Sequence, residues 1–110
     1  MPQQFVARVK RIKRPGVNCI VRDGERIELP PAEWLLLEHV RGGVTVVGTS
    51  DEGKFALDCR MDDEPSARSA MDDEFELSPK GWVEVPNDEL APFDFARKAL
   101  GSKRLPEQTD

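Results

Sequence analysis

The chain contains no tyrosine, one histidine and two cysteines, and aromatic residues make up only 6% of its 110 positions. Each scarcity removes a class of function. A structural zinc site draws four ligands mainly from Cys and His, and Cys19, Cys59 and His39 are too few to supply them. The two cysteines form no Cys-x-x-Cys pair and fall in separate segments of strand character, where thiols act as small buried hydrophobes. No run of about 18 apolar residues, the length that spans a bilayer, is present. Residues 1–14, MPQQFVARVKRIKR, hold no apolar stretch ahead of a small-residue cleavage site, so they read as no secretory signal, and a cytoplasmic location is expected. Gly-x-Ser-x-Gly, the phosphate-binding Gly-Lys-Ser/Thr loop and Gly-x-Gly-x-x-Gly are all absent. His39 sits late in an apolar segment with no nucleophile motif beside it. These absences point away from an enzyme and from a bound metal or cofactor.

What the chain has in quantity is charge, at 34% of residues, with the two signs segregated. Residues 1–22 carry Arg8, Lys10, Arg11, Lys13, Arg14 and Arg22 and no acid. Residues 51–76 carry ten acids against Lys54, Arg60 and Arg68, a net charge of −7. Segregation of this kind speaks to partners and association, not to fold.

The densest apolar material lies in residues 17–40, VNCIVRDGERIELPPAEWLLLEHV. Asp23-Gly24 between alternating segments predicts a two-residue hairpin, because both central residues of its turn need positive φ. That turn sets Arg22 opposite Glu25 and Ile20 opposite Ile27. Pro30-Pro31 followed by a leucine-rich run predicts a helix from about Pro31 to Val40, stopped at Gly42-Gly43 and with Trp34 in the core. Residues 4–13 read as a first strand folded onto residues 17–22 through a type II turn at Arg14-Pro15-Gly16-Val17. Residues 44–50 and the segment from Phe55 read as a second hairpin around Asp51-Glu52-Gly53, with Thr49 opposite Phe55, Val47 opposite Leu57 and Thr45 opposite Cys59.

The predicted order, β-β-β-α-β-β, is that of a small OB- or SH3-like five-stranded barrel over residues 4–60, in an α+β, mostly β, single domain. Residues 61–74, with the tetrad Met-Asp-Asp-Glu twice, read as a solvated acidic loop. Residues 75–77 and 82–85 read as a last hairpin around Ser78-Pro79-Lys80-Gly81, leading to a helix that begins near Asp88 or Ala91 and runs to about Leu100. Residues 101–110 read as a mobile tail.

The candidate sites follow from these placements. A last hairpin with Phe75, Leu77 and Trp82 on one face and Val83 and Val85 on the other needs two covers, one of which can be a partner. With the acids Asp62, Asp63, Glu64, Asp72, Asp73 and Glu74 beside it, the expected function is a non-enzymatic interaction module that binds a protein partner or assembles with itself. One alternative is a nucleic-acid binder using Lys10, Arg11, Lys13 and Arg22, although stacking platforms need aromatics among the cations and only Phe5 is near. The other is an inhibitor that presents its acidic loop, in imitation of a phosphate backbone, to a nucleic-acid-binding protein. No membrane partner is expected.

Overall fold

Residues Trp34–Val40, WLLLEHV, form a strand at the centre of the molecule in the computed structural model, which describes residues 3–13 and 19–101. The helix expected here does not form. An alternating helix face is not what these residues supply: Trp34 and Leu36 point to one side of a sheet, Leu35 and Leu37 to the other, and both sides are covered. The full order is β1 (Gln4–Ile12), β2 (Cys19–Arg22), β3 (Glu25–Glu28), β4 (Trp34–Val40), β5 (Gly43–Thr49), β6 (Phe55–Met61), α1 (Glu64–Glu74), β7 (Phe75–Leu77), β8 (Val83–Glu84) and α2 (Pro92–Leu100).

The class is α+β and mostly β, as expected, but the β-β-β-α-β-β order is not. The main sheet is antiparallel and runs β6-β5-β4-β1-β7 as an open path, with β8 also on β1. The expected last hairpin is absent for a clear reason. Both β7 and β8 pair with β1, Leu77 opposite Val9 and Val83 opposite Val6, so they are two pieces of one strand lying along it. Ser78–Gly81 is an excursion between the pieces, its ladder resumed by Val85 N–H donating to the Gln4 carbonyl. The segment 61–74 is likewise not a loop. Asp63 caps α1 by accepting from the Ser66 N–H at 2.8 Å, Pro65 fits the first turn, and Ala67 and Met71, four residues apart, are buried.

Two expected hairpins are present. The Asp23-Gly24 turn, with φ of 53° and 80°, gives the register expected of it, Arg22 opposite Glu25 and Ile20 opposite Ile27. This β2–β3 hairpin is a sheet of its own. The β5–β6 hairpin keeps Thr49 opposite Phe55, but an irregularity at Gly48/Thr49 then shifts the pairing, so that Val47 meets Asp58, Gly48 meets Leu57 and Thr45 meets Arg60. β1 pairs with β4, Ala7 opposite Leu35, and not with β2. The expected Arg14–Val17 turn and the tail beyond Gly101 lie outside the described residues. α2 starts at Pro92, with Ala91, the later of the two expected starts, as its N-cap, and Gly101 ends it at φ 81°.

The sheet is covered on both faces. α1 packs against β5, β6 and β7 over a cluster with Leu35, Leu37, Val44, Val46, Met71 and Phe75. α2 packs against β1 and β4 over a second cluster of Val6, Trp34, Val85 and Ala96. Among the described residues no helix is long and apolar enough to cross a membrane.

Candidate functional site

The β2–β3 hairpin stands apart from both clusters. Every described side chain from Val21 to Glu28 is exposed, with Val21 73% and Ile27 37% accessible. Opposite residues of an antiparallel pair share a face and neighbours alternate, so Ile27 lies on one face of the ribbon and Val21 on the other. A two-stranded ribbon is marginal by itself in water, and Val21 and Ile27, exposed on its two faces, have no cover among the described residues. These residues were not among those singled out from sequence. The signal available was an Asp-Gly hairpin that carries a β-branched residue on each face, Val21 on one and Ile27 on the other.

The residues that were singled out are distributed differently. Phe75 is only 5% exposed and belongs to the α1-side cluster, with Leu77 and Trp82 partly buried against it. The aromatic face expected to await a partner is therefore largely filled from within, by α1. Of the acids, Asp62, Asp63, Asp72, Asp73 and Glu74 are exposed along α1 and its cap, whereas Glu64 turns inward.

The oppositely charged segments meet each other. Glu76 takes Arg11 at 2.9 Å and Lys10 at 3.4 Å, and Lys13 Nζ donates to the Asp72 carbonyl at 2.7 Å. Those hydrogen bonds, from Arg11 first and Lys10 second, hold the Glu76 carboxyl below the usual glutamate range. Arg22 lies on the β2–β3 hairpin, opposite Glu25. Three of the four expected nucleic-acid contacts, Lys10, Arg11 and Lys13, thus have partners on β7 and α1.

His39 meets Glu64, Nε2 to Oε1 at 2.6 Å, and the other carboxylate oxygen accepts from Arg68 Nε at 2.7 Å. The Arg68 guanidinium lies over both Phe5 and Trp82, at 5.0 and 5.8 Å from the ring centroids. The described side-chain contacts of His39 are with this carboxylate and the Phe5 ring, with no hydroxyl or thiol. As chemistry this is a clasp, tying the first turn of α1 to β1, β4 and the segment before β8. The hydrogen bond from His39, followed by the Arg68 charge, holds Glu64 below the usual glutamate range.

This has a pH consequence. The folded-state pKa of Glu64 lies below its unfolded value, so its contribution is present above the unfolded value and is lost as pH falls through the folded one. Urea midpoints of the parent and Glu64→Gln are therefore expected to differ at neutral pH and to converge as the pH drops below the ordinary glutamate pKa. Parallel curves down to acid pH would mean that the clasp does not act through the Glu64 charge.

On the α2 side, Trp34 Nε1 donates to Asp51 Oδ1 at 3.1 Å, and Arg8 and Arg97 lie over its ring at 5.6 and 5.9 Å. Beside it is a cavity of about 530 Å³ lined by Arg8, Lys10, Arg11, Trp34, Ser78 and Pro79 among others. Its size falls in the small-molecule range, but Arg8 donates to the Gly101 carbonyl at 3.0 Å, and Lys10 and Arg11 are held by Glu76. No cluster of three or more His, Cys, Asp or Glu side chains arranged for a metal ion occurs among the described residues. Compared with protein-family models, curated proteins and solved structures, the chain matches none.

Proposed function

We propose that this chain is a non-enzymatic interaction module whose contact element is the β2–β3 hairpin, inserted into or laid along a protein partner. The observation that carries the reading is the exposure of Val21 and Ile27 on a ribbon whose described side chains belong to neither cluster. An extended ribbon with unpaired outer edges can add to a partner's sheet through its backbone, while its alternate side chains fill pockets. Arg22 and Arg26 against Asp23, Glu25 and Glu28 leave the ribbon close to neutral, which favours a protein groove over a phosphate backbone. The pairing of Lys10 and Arg11 with Glu76 weighs the same way, since these two cations share one counter-charge.

The test compares the parent with the double variant Val21→Ser, Ile27→Ser, each immobilised and exposed to extract of the source cells. The variant is expected to unfold at the parent's temperature and to lose the proteins the parent retains. Identical sets retained by both, or none by the parent, would overturn the proposal.

A further inference from the structure

The outer edge of β6 has no strand beside it among the described residues, being the terminal strand of the β6-β5-β4-β1-β7 path. Such an edge offers a row of unpaired N–H and C=O groups. Along it the side chains divide cleanly. Leu57, Cys59 and Met61 are half-buried toward α1, where with Ala70 and Met71 they line an open slot of about 280 Å³. Asp58 and Arg60 are exposed on the opposite face. The α1 side of this edge is thus an apolar strip that the helix covers only in part.

We propose that β6 pairs antiparallel with β6 of a second copy of this chain, with Cys59 on the two-fold axis. The occupant is identified by the order of residues along the strand. A two-fold axis perpendicular to the sheet keeps both α1 helices on one face, and opposite residues in an antiparallel pair share a face. Only three central registers bring the middle of the strand together under that condition. With Asp58 on the axis, carboxylate faces carboxylate; with Arg60 on the axis, guanidinium faces guanidinium; both are unfavourable. With Cys59 on the axis, each Asp58 faces the other copy's Arg60 and each Leu57 faces the other copy's Met61, so both faces are complementary at once. This contact is independent of the β2–β3 hairpin, which stays free on each copy.

The association is expected to be weak. A single strand pair covers less than the roughly 1,200 Å² of a stable interface, and the exposed acids Asp73 and Glu74, which line the same slot as Cys59, come in from both copies. Direct opposition nevertheless sets the two Cys59 Cα atoms about 4.5–5.5 Å apart, within the range a disulfide bridges.

The experiment uses the full chain with Cys19→Ser, so that Cys59 is the sole thiol. Sedimentation equilibrium reads reversible association, and diamide, which takes up the two thiol hydrogens, traps the pair as a Cys59–Cys59 disulfide. Asp58→Arg sets arginine opposite Arg60 and is expected to weaken association by about tenfold or more. Adding Arg60→Asp reverses both charges, restores unlike pairs in the same register, and is expected to recover association and trapping. A parent that stays monomeric and untrapped would overturn the proposal, as would equal association of all three forms or a double variant no better than the single one. The hairpin variant Val21→Ser, Ile27→Ser is expected to associate like the parent, which separates this contact from the proposed function.

Discussion

Trp34→Ala is expected to destabilise the protein by about 3–5 kcal/mol, read from urea unfolding. Against the roughly 5–15 kcal/mol that stabilises an ordinary domain, that is a large share. The expectation rests on position and partners together. Trp34 is 1% exposed at the start of β4 and is the largest side chain in the α2-side cluster, packed with Val6, Val85 and Ala96. Its loss also removes the donor to Asp51 Oδ1 and the ring on which Arg8 and Arg97 lie. Arg97 belongs to α2 and donates to the Asp51 carbonyl at 3.1 Å, so the indole is the hub through which α2, β4 and the β5–β6 turn are joined. Trp34→Phe, which keeps a ring but removes the N–H, is expected to cost less, about 1–2 kcal/mol. A loss below about 1 kcal/mol for the alanine variant would mean that the α2 face is not a core.

Leu37→Ala probes the other face, with an expected loss of about 3 kcal/mol within the 2–5 kcal/mol span of such truncations. Leu37 is fully buried on β4, opposite Phe5 of β1 and Val46 of β5, in the cluster that α1 closes. Three strands and a helix meet around it, so the space it leaves has little freedom to collapse, and the cavity adds to the lost transfer energy. By contrast, Val21→Ala on the free hairpin is expected to stay within about 0.5 kcal/mol of the parent, as for a surface site. Similar losses at the two positions would mean that the hairpin is packed after all.

The elements that could be read from sequence were those decided by local backbone chemistry. Asp23-Gly24 determines its turn because both residues take positive φ, and so its register was correct to the residue. Gly101 ends α2 for the same local reason. In sequence the central strand resembles a helix because Leu, Glu and Trp tolerate helix well and because a continuous apolar run has no period that separates a buried strand from a buried helix. Seven residues is short for a helix, and a strand covered on both faces needs just such a run. α1 was hidden by its charge: its apolar contribution is little more than Ala67, Ala70 and Met71, and the cap signal at Asp63 with Pro65 carries the helix start. Ser78–Gly81 is a true turn, but its flanking strands β7 and β8 share β1 as a partner, a long-range choice that no local pattern reports.

The same division explains the site. The charge segregation is real, yet Glu76 of the acidic segment lies next to Lys10 and Arg11 of the basic one, so part of it is matched within the molecule. Burial of Phe75 depends on α1 crossing from β6 to β7, which the acidic sequence of α1 did not suggest. With that surface closed, Val21 and Ile27 of the ribbon are among the large apolar side chains left exposed, beside Ile12, Phe55 and Leu90.

Native-state hydrogen exchange of β2–β3 against β4 tests most directly whether that ribbon is a free arm. Amides with few buried apolar contacts open locally at low free energy, whereas those of a central strand exchange only on global unfolding. The β2–β3 ladder between residues 20 and 27 is expected to exchange far faster than Leu35 and Leu37, with a rate insensitive to Leu37→Ala. Hairpin amides protected to the level of β4, and accelerated with it by that substitution, would show a ribbon folded into the core and contradict its role as the contact arm.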